Sequence, residues 1–121
     1  MFAISVEMSF QASHQLLLPD GSKELAHSHN WSVTAEVAGE TLDEMGVVMD
    51  FHQLQAALGD IIAPFDNSQL GDIDYFRQNA ESAENVAKYI YDKLSGRLPE
   101  GVRIAGIKVG EGEGCWAKYL G

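Results

Sequence analysis

Three histidines raise the possibility of chemistry. His27 and His29 stand two apart in "ELAHSHNWSVTAEV" (24–37), and His14 closes "FQASH" upstream. Imidazoles two apart on an extended chain project to the same side. With a third beside them they make three protein ligands, which together with one open position is the usual arrangement of a catalytic zinc centre. Such a centre polarises an oxygen bound there and acidifies its neighbours. A pair of histidines two apart is, taken alone, more often a surface or hydrogen-bonded feature than a site. A site therefore needs a fold that returns His14 to the pair. The ligand set does not choose the ion, since three imidazoles also suit iron, nickel or copper. The fourth histidine, His52, follows Phe51 at the start of a helical pattern and is expected to be structural or exposed.

The elements around the histidines supply that return. In "FAISVEMSFQAS" (2–13), Phe2, Ile4, Val6, Met8 and Phe10 alternate with Ala3, Ser5, Glu7, Ser9 and Gln11. Period two of this kind marks a half-buried strand. "HNWSVTAEVAGE" (29–40) repeats it with Trp31, Val33, Ala35 and Val37. Between them "PDG" carries turn chemistry, so the end of the first strand meets the start of the second. Phe51, Leu54, Leu58, Ile61 and Ile62 recur at helical spacing until Pro64. A second helix carries Val86, Ile90 and Leu94 on one face, with Ser82 as N-cap and Gly96 as C-cap. Two strands, 102–110 and 114–120, flank "GEGEG". The order β-β-α-α-β-β predicts an α+β fold, an antiparallel sheet with two helices on one face. Four long strands in an open sheet leave two edges with little lysine to blunt them, which predicts pairing between subunits.

The chain has 121 residues, enough for one domain spanning 1–121 with a modest core. Eighteen acidic residues against eight basic give a net charge of -10. That excludes nucleic acid and anionic membrane surfaces as expected partners, because both are bound through basic residues. No run approaches the length of a membrane span. The N-terminal segment has no basic n-region and the one cysteine, Cys115, has no partner, so the expected compartment is the cytoplasm.

Five stretches then fall in order along the chain: "F-x-A-S-H", "H-x-H-N-[aromatic]", "G-x-V-M-D-F-x-x-L", "A-E-N-x-A-x-Y-I" and "V-x-E-x-x-x-x-W-A-K-Y". Over nearly all of residues 2–120 the chain resembles the 6-pyruvoyl-tetrahydropterin synthase / 6-carboxy-tetrahydropterin synthase family. The resemblance implies the tunnelling (T) fold, with three subunits closing a barrel and two barrels stacking into a homohexamer. It implies a lyase, with Zn2+ held by His14, His27 and His29. It matches Glu111 to the glutamate that anchors a pterin ring, where a carboxylate accepts from two adjacent N–H donors; Glu113 is then the exposed neighbour. Asp66 matches the aspartate of an Asp-His catalytic pair, and reads equally as a turn residue after Pro64. Glu84 and Asn85 are matched near a subunit boundary or as capping residues, and Asp50 and Phe51 as structural.

Several positions depart from that pattern. The family's usual cysteine base before the histidine pair is absent, and "SKEL" stands there instead, with Lys23 and Glu24 as the two candidate bases. Cys115, beside Trp116, is expected to be packed rather than nucleophilic. Asp66 is followed by Asn67, which cannot carry a proton as a histidine does. Ser28 replaces a glycine between the histidines. The expected function is a zinc-dependent enzyme acting on the side chain of a 7,8-dihydropterin. Three alternatives stay open: a homologue that binds zinc and a pterin without turnover, a dihydroneopterin side-chain-cleaving variant with Glu24 as base, and a purely structural oligomer. With five lysines and three arginines in all, an uncharged or monophosphorylated pterin is an option beside a triphosphate.

Overall fold

The computed structural model covers residues 1–121. Strands β1 (Phe2–His14) and β2 (His27–Gly39) pair antiparallel along their whole length, from Phe2↔Gly39 to His14↔His27. The alternation read from the sequence sets their faces. Val6, Phe10 and Ala12 of β1 and Trp31, Val33, Ala35 and Val37 of β2 are buried. Ser5, Glu7, Ser9 and Gln11, between the buried positions of β1, are exposed. β4 (Val102–Glu111) runs antiparallel to β2 with an irregularity at Glu36/Val37, and β5 (Trp116–Tyr119) runs antiparallel to β4.

Helices α1 (Phe51–Ile62) and α2 (Ala83–Ser95) bring Leu54, Leu58, Ile61, Val86, Ile90 and Leu94 into the core formed with the sheet. Both begin at side-chain caps. Asp50 Oδ1 accepts from the His52 N–H at 2.7 Å, and Ser82 Oγ accepts from the Asn85 N–H at 3.2 Å. Each cap satisfies a donor that the first helical turn leaves unpaired, worth about 1 kcal/mol. Phe51 departs from its expected place on the buried stripe and is 52% exposed. As the first residue of α1 it sits where the stripe runs off the core. Leu58 is fully buried, and Leu58→Ala is expected to cost about 2–5 kcal/mol in urea unfolding, since the neighbouring side chains cannot close the void.

The sheet has one strand more than the sequence predicts. β3 (Ser68–Gln69) lies parallel to β1 through Ala12↔Ser68 and Ser13↔Gln69, giving the order β3-β1-β2-β4-β5. Two residues carry no periodicity, so this strand is invisible to patterning. Its anchor is local: the Gln11 N–H donates to Asp66 Oδ1 at 3.0 Å, and the Asn67 N–H donates to the Gln11 carbonyl at 2.6 Å. Asn67 holds φ 58°, a left-handed conformation that asparagine tolerates better than most residues. The 66–69 segment thus covers only one end of the β1 edge, and no strand covers the outer edge of β5. No helix is long and apolar enough to cross a membrane.

Candidate functional site

The pairing of β1 with β2 builds the site. His14 stands opposite His27, and His29 stands opposite Ala12, whose small side chain leaves room beside it. One step further along the same face, Phe10 stands opposite Trp31, and their rings stack with centroids 5.8 Å apart. The row that fills the core therefore continues into imidazoles where the core ends. Trp31 is fully buried beneath them, its ring edge-on to His14 at 4.9 Å and its Nε1–H donating to the Ala12 carbonyl at 3.1 Å.

Two backbone carbonyls orient the rings. His14 Nδ1 lies 2.7 Å from the Glu81 carbonyl, and His27 Nδ1 lies 3.0 Å from the Leu25 carbonyl. A carbonyl only accepts, so each Nδ1 carries a proton, and in the neutral ring each Nε2 then presents a lone pair. Those two Nε2 atoms face each other at 2.9 Å. Glu111 Oε1 joins them, 2.5 Å from His14 Nε2 and 3.6 Å from His29 Nε2. The four donors of His14, His27, His29 and Glu111 all lie within 4.8 Å of one another. Acceptors crowded this closely repel unless a cation sits among them, and backbone carbonyls behind the ligand histidines are a usual feature of metal sites. The donor set fits a divalent metal ion. Burial lowers the pKa of His29 below its ordinary value; Glu111 opposes this and the neighbouring His27 and His14 reinforce it. A neutral imidazole is the form that can bind a metal ion.

The hairpin between the strands positions the candidate bases. The Glu24 N–H donates to the Leu16 carbonyl at 3.0 Å, and the Leu16 N–H donates back to Glu24 Oε1 at 3.0 Å. Glu24 is half-buried and its charge acts on His29. Lys23 is exposed, paired with Leu17, and faces a polar cavity of about 200 Å³ that His14, Asp72 and Glu81 also line. Asp66 stands apart from the donors, exposed and engaged with Gln11 at the sheet edge. Glu84 is exposed on the first turn of α2, while Asn85 Nδ2–H donates to the Ala80 carbonyl at 3.0 Å, a capping contact. Glu113 is exposed, as expected beside Glu111, and His52 is exposed too. Cys115 is exposed rather than packed, because it lies in the 112–115 turn before β5 begins. The largest concavity, about 690 Å³ lined by Leu42, Met45, Val48, Phe51 and Pro99 among others, shares no residue with the histidine group.

A family model described as 6-pyruvoyl tetrahydropterin synthase matches residues 3–121. The chain belongs to this family. The human 6-pyruvoyl tetrahydrobiopterin synthase is 33% identical over 132 aligned positions, covering 98% of this chain and 90% of the human protein. The dihydroneopterin monophosphate aldolase of Pyrococcus furiosus is 28% identical, covering 86% of this chain and 84% of that one. The solved structure of 6-pyruvoyl tetrahydropterin synthase from Caenorhabditis elegans superposes with a TM-score of 0.87 at 22% identity, covering 99% of this chain and 95% of that chain. The α+β tunnelling fold and an enzyme of the lyase type, both expected from the sequence, stand on these likenesses.

The structure brings together the three histidines singled out from the sequence, and adds to them Glu111, which the sequence offered as a ring anchor. It missed the Glu81 and Leu25 carbonyls, whose part is played by main chain and leaves no residue-type signal. The place of Trp31 as the floor under the histidines was visible only as the aromatic of a motif.

Proposed function

We propose that this member of the 6-pyruvoyl tetrahydropterin synthase family is a zinc enzyme that processes the side chain of a 7,8-dihydropterin. The observation that carries the reading is the convergence of His14 Nε2 and His27 Nε2 at 2.9 Å, each with its other nitrogen committed to a carbonyl. His14, His27 and His29 would hold the ion, and zinc bound there supplies Lewis acidity to an oxygen of the pterin side chain. Glu111 accepts from two adjacent N–H groups of the ring. Glu24, with one oxygen tied to the Leu16 N–H, offers the other to take a proton from the pterin side-chain carbon next to the polarised oxygen, and its half-buried, hydrogen-bonded position supports it over the exposed Lys23. Asn67 excludes a histidine relay beside Asp66, so proton movement falls to the hairpin residues. Asp66 enters as an acid that an adjoining subunit would meet at the β1 edge.

A side-chain-cleaving activity with Glu24 as base is the second reading, supported by the relative named as an aldolase. Cations are scarce here. The cavity of about 330 Å³ lined by Lys23 and Arg77 holds just these two cations, with Glu81 also in its lining and Arg77 paired with Asp74 at 3.1 Å. That favours an uncharged or monophosphorylated pterin. Residues 1–121 act as one unit, and the bare edges of β1 and β5 suit closure of the sheet between copies into a homohexamer. Free, exposed Cys115 fits a reducing compartment such as the cytoplasm.

Metal analysis and a substrate panel test this reading. About one zinc per chain is expected for a three-histidine site. Among 7,8-dihydroneopterin, its monophosphate and its triphosphate, turnover is expected with one of the first two and least with the triphosphate. Protein that holds zinc and a pterin but forms no product would leave a binding protein instead. Protein that takes no metal removes the reading altogether.

A further inference from the structure

Glu111 has an unusual set of neighbours. Its carboxylate is about one quarter exposed, and its only ionic partners are His14 and His29, with no lysine or arginine beside it. Its backbone is fixed at the end of β4, opposite Trp31 on one side and with its N–H donating to the Cys115 carbonyl at 3.0 Å. The side chain is thus directed at the histidines by the sheet register. In the neutral ring His14 Nε2, 2.5 Å from Oε1, has no proton to give while Nδ1 serves the Glu81 carbonyl. The contact is acceptor against acceptor. A proton on Nε2 would satisfy it only by making His14 a cation and removing it from the ligand set. A shared metal ion satisfies it with every donor retained, and a carboxylate oxygen is an ordinary fourth ligand for zinc.

We propose that Glu111 is the fourth metal ligand of the substrate-free protein and gives up that position when a pterin ring arrives. The inference rests on the zinc and pterin reading above. With both oxygens turned to two adjacent ring N–H groups, the Glu111 carboxylate would face the ring rather than the ion. Recognition of the ring therefore opens the coordination position that the pterin side chain needs. A pterin lacking the 2-amino group and the adjacent ring N–H would leave Glu111 in place and the position closed. Ring selection and access to the metal are then one event rather than two.

Cobalt(II) reports on this directly, because its visible absorption follows the number and kind of ligands. The wild-type chain, Glu111→Gln and Glu111→Ala are stripped of metal, loaded with cobalt and competed against a chelator. Both variants are expected to bind at least about tenfold more weakly, since even outer-shell partners of metal ligands are worth that much. Their visible bands should differ from the wild type. Adding 7,8-dihydroneopterin should move the wild-type band as the carboxylate departs. Matching thermal midpoints of the metal-free proteins establish that the variants fold, and the near-isosteric Gln variant guards against loss of shape. Equal affinities and superimposable spectra across the three proteins would overturn the role of Glu111 and leave the zinc reading intact. A wild-type protein that binds no cobalt would remove both.

Discussion

His14→Ala is expected to lower metal affinity by about a thousandfold or more and to abolish turnover, because a direct ligand is worth more than the outer-shell partners whose loss already costs about 10–100-fold. His14 is the choice among the three because it is the buried one and touches both His27 and Glu111. The effect on stability should separate a metal site from a packing feature. In the metal-free protein, removing His14 relieves repulsion among crowded acceptors, which offsets part of the void left against Trp31 and of the lost bond to the Glu81 carbonyl. The metal-free thermal midpoint should therefore move by only a few degrees. Zinc should raise the wild-type midpoint, as any ligand that binds only the folded state does, and should leave that of His14→Ala unchanged. If the substitution instead lowers the metal-free midpoint steeply while zinc has no effect on either protein, the histidines are structural.

Glu24→Gln is the second large effect. Loss of a general base costs typically about 10²–10⁴-fold in rate. Glutamine keeps the oxygen that accepts from the Leu16 N–H, so the hairpin that carries the residue should hold its shape. Zinc content and pterin affinity should stay within about twofold of the wild type, and the loss should fall on kcat. Lys23→Met is the matched control: it removes a charge from the adjacent position, and the rate should change by no more than a few fold. The opposite ranking would transfer the base to Lys23. Equal, small effects from both would mean that neither moves the proton.

The reading of the first two strands from sequence was nearly complete. Phe10, Ala12 and His14, and Trp31, His29 and His27, lie on one face because period-two alternation continues past the apolar residues into the histidines. Ser82 and Gly96 likewise marked the ends of α2. Capping and alternation are local, set by residues a few positions apart, and survive any tertiary arrangement. Phe51 and Cys115 depart from the expected burial for a related reason. Residue type says that each can be buried, but not that the core stops short of the first turn of α1 or that the turn before β5 faces solvent.

Asp66 shows the limit more sharply. Its position after Pro64 matched a catalytic aspartate and a turn residue equally well. The fold engages it with the Gln11 N–H, 55 residues away, at an edge where a strand of two residues then forms. Nothing in "DNSQ" announces that pairing.

By itself the sequence determined the face that each strand presents and the caps that start the helices, and it allowed His14, His27 and His29 to meet at one strand end. Those follow from backbone periodicity and from a hairpin that brings the ends of β1 and β2 together. Only the tertiary structure decided which ring nitrogens are free, through the carbonyls of Glu81 and Leu25, and that Glu111 points at the same centre. A carbonyl is common to every residue, and a register between β2 and β4 is set by the packing of the whole sheet. Neither leaves a mark on the identity of the residue that supplies it.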